Sequence, residues 1–234
     1  MYEPDDKLIN IIRDNYNILQ SLGAFGINIG FGDKTVREVC EDQSVDTNTF
    51  LTVVNYTING YRNIDDIERL SVPTLLKYLK ASHEYYLGFQ LPFIRKELSE
   101  ALDENDNLAR LILKLYDEYA HQIHSHMKYE EKNVFPYVQS LIDNNVADDY
   151  DIDTFSKHHT QADVKLKELK NIIIKYLPSD GLHNNQLTAT LYDIYITRSG
   201  SLLIDLLKTR YLFLLFVTSR KRIAKAMLAL KSAI

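Results

Sequence analysis

The chain has 234 residues, of which 45% are hydrophobic and 25% charged, with a net charge of −5. That length can bury a full core as one large domain or as a medium domain with a small one, and the second is expected. A single cysteine, Cys40, excludes an intrachain disulfide framework and points to a reducing compartment. Charge is unevenly spread. Residues 1–197 carry 19 basic against 31 acidic residues, a net of −12, which argues against a nucleic-acid partner. From Arg198 onward eight basic residues accompany Asp205, the one acidic residue there, and the apolar run "YLFLLFV". The start "MYEPDDKLIN" shows neither a signal peptide nor an early membrane span, so a cytoplasmic protein is expected.

The elements, in chain order, are nearly all helical. Leu8, Ile11, Ile12, Tyr16 and Leu19 form an apolar stripe at helical spacing, and "FGINIGFGDK" breaks it with three glycines. The spacing predicts short helices over Thr35–Cys40 and Thr47–Tyr56, each opened by a capping residue. A loop around "GYRNIDD" and the start signal Ser71-Val72-Pro73 place a boundary near residue 72. Amphipathic runs then cover about 74–100, 104–143, 151–177 and 184–232. The expected architecture is all-α: a small helical domain over 1–72, then an antiparallel four-helix bundle over 73–234, with 198–234 atypical.

In a bundle, inward side chains from several helices converge, so His and Glu can build a metal site without any loop. His83 lies in the first long run, His126 and Glu130 in the second, and His159 in the third. His126 and Glu130 are four apart and so project from adjacent turns of one helix face. Imidazole with carboxylate, and no thiolate, suits iron or manganese better than structural zinc. The competing interpretation is an exposed helix pair contributing about 0.3 kcal/mol. His121, His124, His158 and His183 are assigned to solvated or capped positions, and Tyr85 or Tyr86 is a candidate neighbour of the site.

Four stretches, "GINIGFGDKTVREVCEDQSVDTNTFL", "HEYYLGFQLP", "HMKYEEKNVFP" and "HHTQADVKLKEL", resemble in order the motifs of the hemerythrin-like repair-of-iron-centres family, of the ScdA and YtfE type. The likeness runs over nearly all of residues 1–197. It implies a four-helix bundle holding two non-haem irons through histidines and bridging glutamates, with His83, His126, Glu130 and His159 at ligand positions. It further implies a role in restoring iron–sulfur clusters damaged by nitric oxide or peroxide. Damaged iron–sulfur proteins are then the partners, nitric oxide or peroxide the small-molecule reactants, and a homo-oligomer is allowed.

Three departures stand out. The family's adjacent cysteine pair is replaced by Gly30 and Phe31, and where a further family histidine is expected, near the junction of the first two long helices, there are only Asn105 and acidic neighbours. No histidine follows His183, so "LIDLLKTRYLFLL" lacks the second His and Glu expected of the last helix. The intact set therefore defines at most one iron fully. A reading-frame shift near residue 197 accounts for both the loss and the compositional break. Read one base back, the code permits His in place of Ile204, Glu in place of Lys208 and Pro in place of Leu214. Two other function classes are carried: an iron sensor of oxygen or nitric oxide, and a metal-free bundle whose basic apolar tail touches a membrane or a partner.

Overall fold

The computed structural model describes residues 1–59, 70–103, 105–143, 160–177 and 184–207, with side chains except at 59, 142, 160–163, 184 and 198–207. His158, His159 and His183, the loop from Gly60 and everything after Leu207 lie outside the described residues. Among those described, every regular element is helical, apart from an isolated antiparallel bridge between Lys7 and Thr35. The packing divides the chain into two compact units, Met1–Tyr85 and Tyr86–Ile234.

In the first unit, α1 (Leu8–Asp14) and α2 (Ile18–Ala24) replace the continuous stripe expected over Leu8–Leu19. Asn15 leaves the helix with extended torsions, and its side chain accepts from the Asn17 amide at 3.1 Å. That interruption resets the helical phase. Leu8, Ile11, Ile18 and Leu22 turn inward, while Tyr16 and Leu19 are left exposed. Helix α3 (Val36–Asp42) opens with a reciprocal capping box: the Thr35 hydroxyl accepts from the Glu38 amide, and the Glu38 carboxylate accepts from the Thr35 amide at 2.7 Å. The cap of α4 (Thr47–Asn59) is Asp46, whose carboxylate takes the Thr49 amide at 2.8 Å. Thr49, fully buried, also accepts from the Ser71 amide, which ties this cap to the start of α5 (Val72–Tyr85). Phe25 packs edge-on against Phe50 and at a tilt against Tyr78, with centroids 5.2 and 4.4 Å apart, so α5 shares its core with α2 and α4.

The second unit begins with a five-residue π-turn, Tyr86–Gln90, that runs into α6 (Leu91–Ala101). After a short turn comes α7 (Asn107–Tyr129), capped by Asp106. A second π-turn, Glu130–Val134, leads into α8 (Phe135–Ile142). The described part of the third run is α9 (Thr160–Tyr176), and that of the fourth is α10 (Asn184–Leu207). Helix α6 packs on α7 and α10, and α7 packs on α9. Their shared core includes Leu98, Ile112, Tyr116, Leu169 and Ile194. Burying each such aliphatic side chain contributes about 1.5–3 kcal/mol. The Tyr116 hydroxyl donates to the Leu91 carbonyl at 2.8 Å, which satisfies the polar end of a buried ring and locks α7 to the start of α6. Ion pairs flank the same contacts: Arg95 with Asp117 at 2.6 Å, and Lys165 with Glu118 at 2.6 Å. The all-α four-helix fold expected from the spacing is therefore the fold observed.

Candidate metal centre

Helix α7 shows why its last turns can carry polar ligands. Ala109, Ile112, Leu113, Tyr116 and Tyr119 bury its apolar face, and Met127 continues that face toward the C-terminal end. Four residues beyond His126 on the same side comes Glu130. The His126 Nε2 lies 3.1 Å from Glu130 Oε1, with the histidine side chain 15% exposed and the glutamate 0%. A carboxylate excluded from water is costly unless a hydrogen-bond donor, a cation or a metal meets it. The exposed helix pair is thereby excluded, because both side chains are inside the protein.

The environment of this pair is apolar on the C-terminal side. Val134 and Phe135 are both 1% exposed, and Val138 follows them inward. Donors of this kind, one imidazole nitrogen and one carboxylate on adjacent turns, fit a hard or borderline cation such as iron or manganese. Among the described residues no group of three or more His, Cys, Asp or Glu side chains converges to hold a metal ion. The pair therefore offers two donors, fewer than a metal site of three or more ligands.

The other expected ligands are placed as follows. His83 is fully buried in α5, within the first unit, while His126 and Glu130 are in the second. His159 lies outside the described residues. His121 and His124 are exposed on α7, as expected of solvated histidines, and Tyr86 is buried whereas Tyr85 is only partly so. Asn105 is spent in the turn before α7, where its backbone and side-chain amides both donate to Asp103 at 2.9 and 3.0 Å. Those two donors hold the Asp103 carboxyl below its usual range. In the first unit, Gly30 sits at φ +106, a region that L side chains rarely adopt, so the local backbone itself disfavours a cysteine there.

Two features escaped the sequence reading. Both π-turns follow a candidate ligand and precede an apolar residue and a proline, "QLP" at 90–92 and "VFP" at 134–136. The signal was the proline inside each helical run, which cannot join the four-residue bonding pattern. The Asn133 side chain, donating to the Tyr129 carbonyl at 2.9 Å inside the second π-turn, carried no signal of its own.

Comparison with curated proteins finds no match. The family model described as the hemerythrin HHE cation-binding domain matches residues 74–195, just over half of the chain. The match contains His83, His126 and Glu130 and nearly all of the helical segments that carry them. With the buried pair on α7 and the all-α bundle around it, the chain belongs to the hemerythrin HHE cation-binding domain family.

Proposed function

We propose that this protein is a non-haem iron protein of the repair-of-iron-centres type, acting on iron–sulfur clusters damaged by nitric oxide or peroxide in the cytoplasm. The observation that carries the reading is the buried His126–Glu130 pair inside the family-matched region. His126 and Glu130 would supply two of the donors that hold the iron, which when bound supplies one-electron chemistry and a site for nitric oxide or peroxide. The protein's own part is to keep that chemistry dry and oriented. The Glu130 side chain is fully buried, and its chain neighbours Met127, Val134 and Phe135 are nearly inaccessible too. Exclusion of water strengthens the hold of the Glu130 carboxylate on a cation. The damaged cluster is the substrate, and iron handed to it is cargo.

The test begins with metal content after anaerobic purification. Iron should be present in the native protein and largely lost in Glu130→Ala and in His126→Ala, with helical content nearly unchanged. An alanine variant that keeps its full iron complement sinks the ligand assignment. The repair role needs a second assay, in which iron-loaded protein restores a cluster enzyme inactivated by nitric oxide and His159→Ala does so poorly. Equal rescue by free ferrous iron removes the support for repair and favours a sensor of oxygen or nitric oxide.

A further inference from the structure

Helix α7 cannot continue unchanged into α8, and the way it changes bears on Glu130. In an α-helix Pro136 would lack the amide that bonds the Lys132 carbonyl, and its ring would press on that carbonyl. An unbroken helix would also turn Phe135 about 140° away from Glu130. Neither problem arises, because the turn is widened by one residue: the Phe135 amide donates to the Glu130 carbonyl, five residues back. Val134 and Phe135, adjacent in sequence, are both buried. Upstream the backbone remains helical, with the Glu130 amide bonding the carbonyls of His126 and Met127. The Glu130 backbone is thus held from both sides, by the α7 turn at its amide and by the π bond at its carbonyl. Within the widened turn, Asn133 Nδ2 donates to the Tyr129 carbonyl at 2.9 Å.

We propose that the π-turn Glu130–Val134 is the positioning element of the metal site and that Asn133 is its clamp. The inference rests on the iron-binding reading of His126 and Glu130 for its functional half. The clamp fastens the residue before Glu130 to the far end of the widened turn, so the turn keeps its extra residue. Glu130 then stays on the His126 face while Phe135 enters the core. Asn133 acts through the backbone and through Glu130; it is a positioning residue. The first π-turn, Tyr86–Gln90, has the same form three residues after His83, and Gln90 and Leu91 are likewise adjacent and both buried. A π-turn thus lies close to each of two candidate ligand positions, with Phe89 at the place in the first turn that Asn133 holds in the second.

The protein itself suggests the rescue. Thr52, Thr57 and Ser82 each donate a hydroxyl to the carbonyl four residues back at 2.8 Å, the same bond that Asn133 makes. A serine at 133 can replace the clamp, whereas a leucine keeps the bulk and loses the donor. The experiment compares native protein, Asn133→Leu and Asn133→Ser. It measures amide hydrogen exchange at Phe135 without metal, and ferrous iron affinity by anaerobic titration. In Asn133→Leu we expect Phe135 exchange to quicken at least tenfold. We also expect iron affinity to fall about 10–100-fold, the usual loss when a group orienting a ligand is removed. Asn133→Ser should restore both. Unchanged exchange and affinity in the leucine variant, or losses that serine does not rescue, overturn the clamp. If the native protein binds no ferrous iron, the iron-binding reading falls with the functional half of the proposal, while the exchange result still decides the structural half.

Discussion

Cys40 shows how a single side chain loses its chemistry to its surroundings. It is fully buried in the first unit, and burial pushes its thiol up to about 11 despite a hydrogen bond with Thr47. Since the raised value favours the protonated form in the folded state, its contribution to stability is complete below the unfolded thiol range near 8.5. That contribution fades as pH rises toward 11. Cys40 should accordingly react with a thiol reagent at pH 7 only as fast as the first unit opens, and denaturant should raise the rate sharply. Fast labelling of the native protein would contradict the buried thiol. The buried pair on α7 gives the second expectation at this scale. His126→Ala removes the imidazole 3.1 Å from the buried Glu130 carboxylate and should destabilise metal-free protein by about 1.5 kcal/mol. An exposed pair would cost only about 0.3 kcal/mol, a difference that chemical denaturation resolves.

At the level of elements, caps and interruptions decide where helices begin and turn. The Thr35 and Glu38 capping box was readable, because Thr followed three residues later by Glu has that meaning on its own. Thr35→Ala should cost about 1 kcal/mol. Hydrogen bonds from Thr35 hold the Glu38 carboxyl below its usual range. The stability it lends is therefore present above the unfolded carboxylate range and is lost as pH falls through its lowered folded value. Glu38→Gln should flatten that acid-side loss, and a stability profile measured between pH 2 and 6 checks it. Asp46 as the cap of α4, by contrast, was displaced by one residue from the expected Thr47, since both types cap helices and only the backbone chooses between them. The break at Asn15 and the two π-turns were unreadable from period alone: each shifts the phase by a residue, and a spacing count averages over such a shift.

For the whole molecule, the informative helix is α10. Its buried face carries Thr190, Ile194 and Thr197, and no His or Glu occurs in the sequence from Asn184 onward. A second His and Glu pair is thus unavailable to close a two-iron site, and the chain should bind at most one iron per protomer. Iron and protein determined on the same anaerobic sample test this. The frame-shift reading places the missing ligands at positions 204 and 208, of which 208 lies outside the described residues. Sequencing the gene decides it: the frame one base back near codon 197 should remain open and encode His and Glu four apart. An uninterrupted frame ending at Ile234 together with two irons per chain would refute both expectations. No helix among the described residues is long and apolar enough to cross a membrane.

The amino-acid order alone determined that this protein is helical, that its long runs make a four-helix bundle, and that His126 and Glu130 share a helix face. Those conclusions depend on local periodicity and residue chemistry, which spacing records directly. Tertiary structure decided the burial of the pair, because spacing places His126 and Glu130 on one face but only packing brings the Glu130 side chain to 0% exposure, 3.1 Å from the imidazole. It also decided the phase slips. Leu19 turns outward and Phe135 inward because packing, rather than periodicity, sets which of two neighbouring apolar residues is covered. Likewise only the structure shows that Gly30 stands at φ +106, a backbone conformation that L side chains rarely adopt.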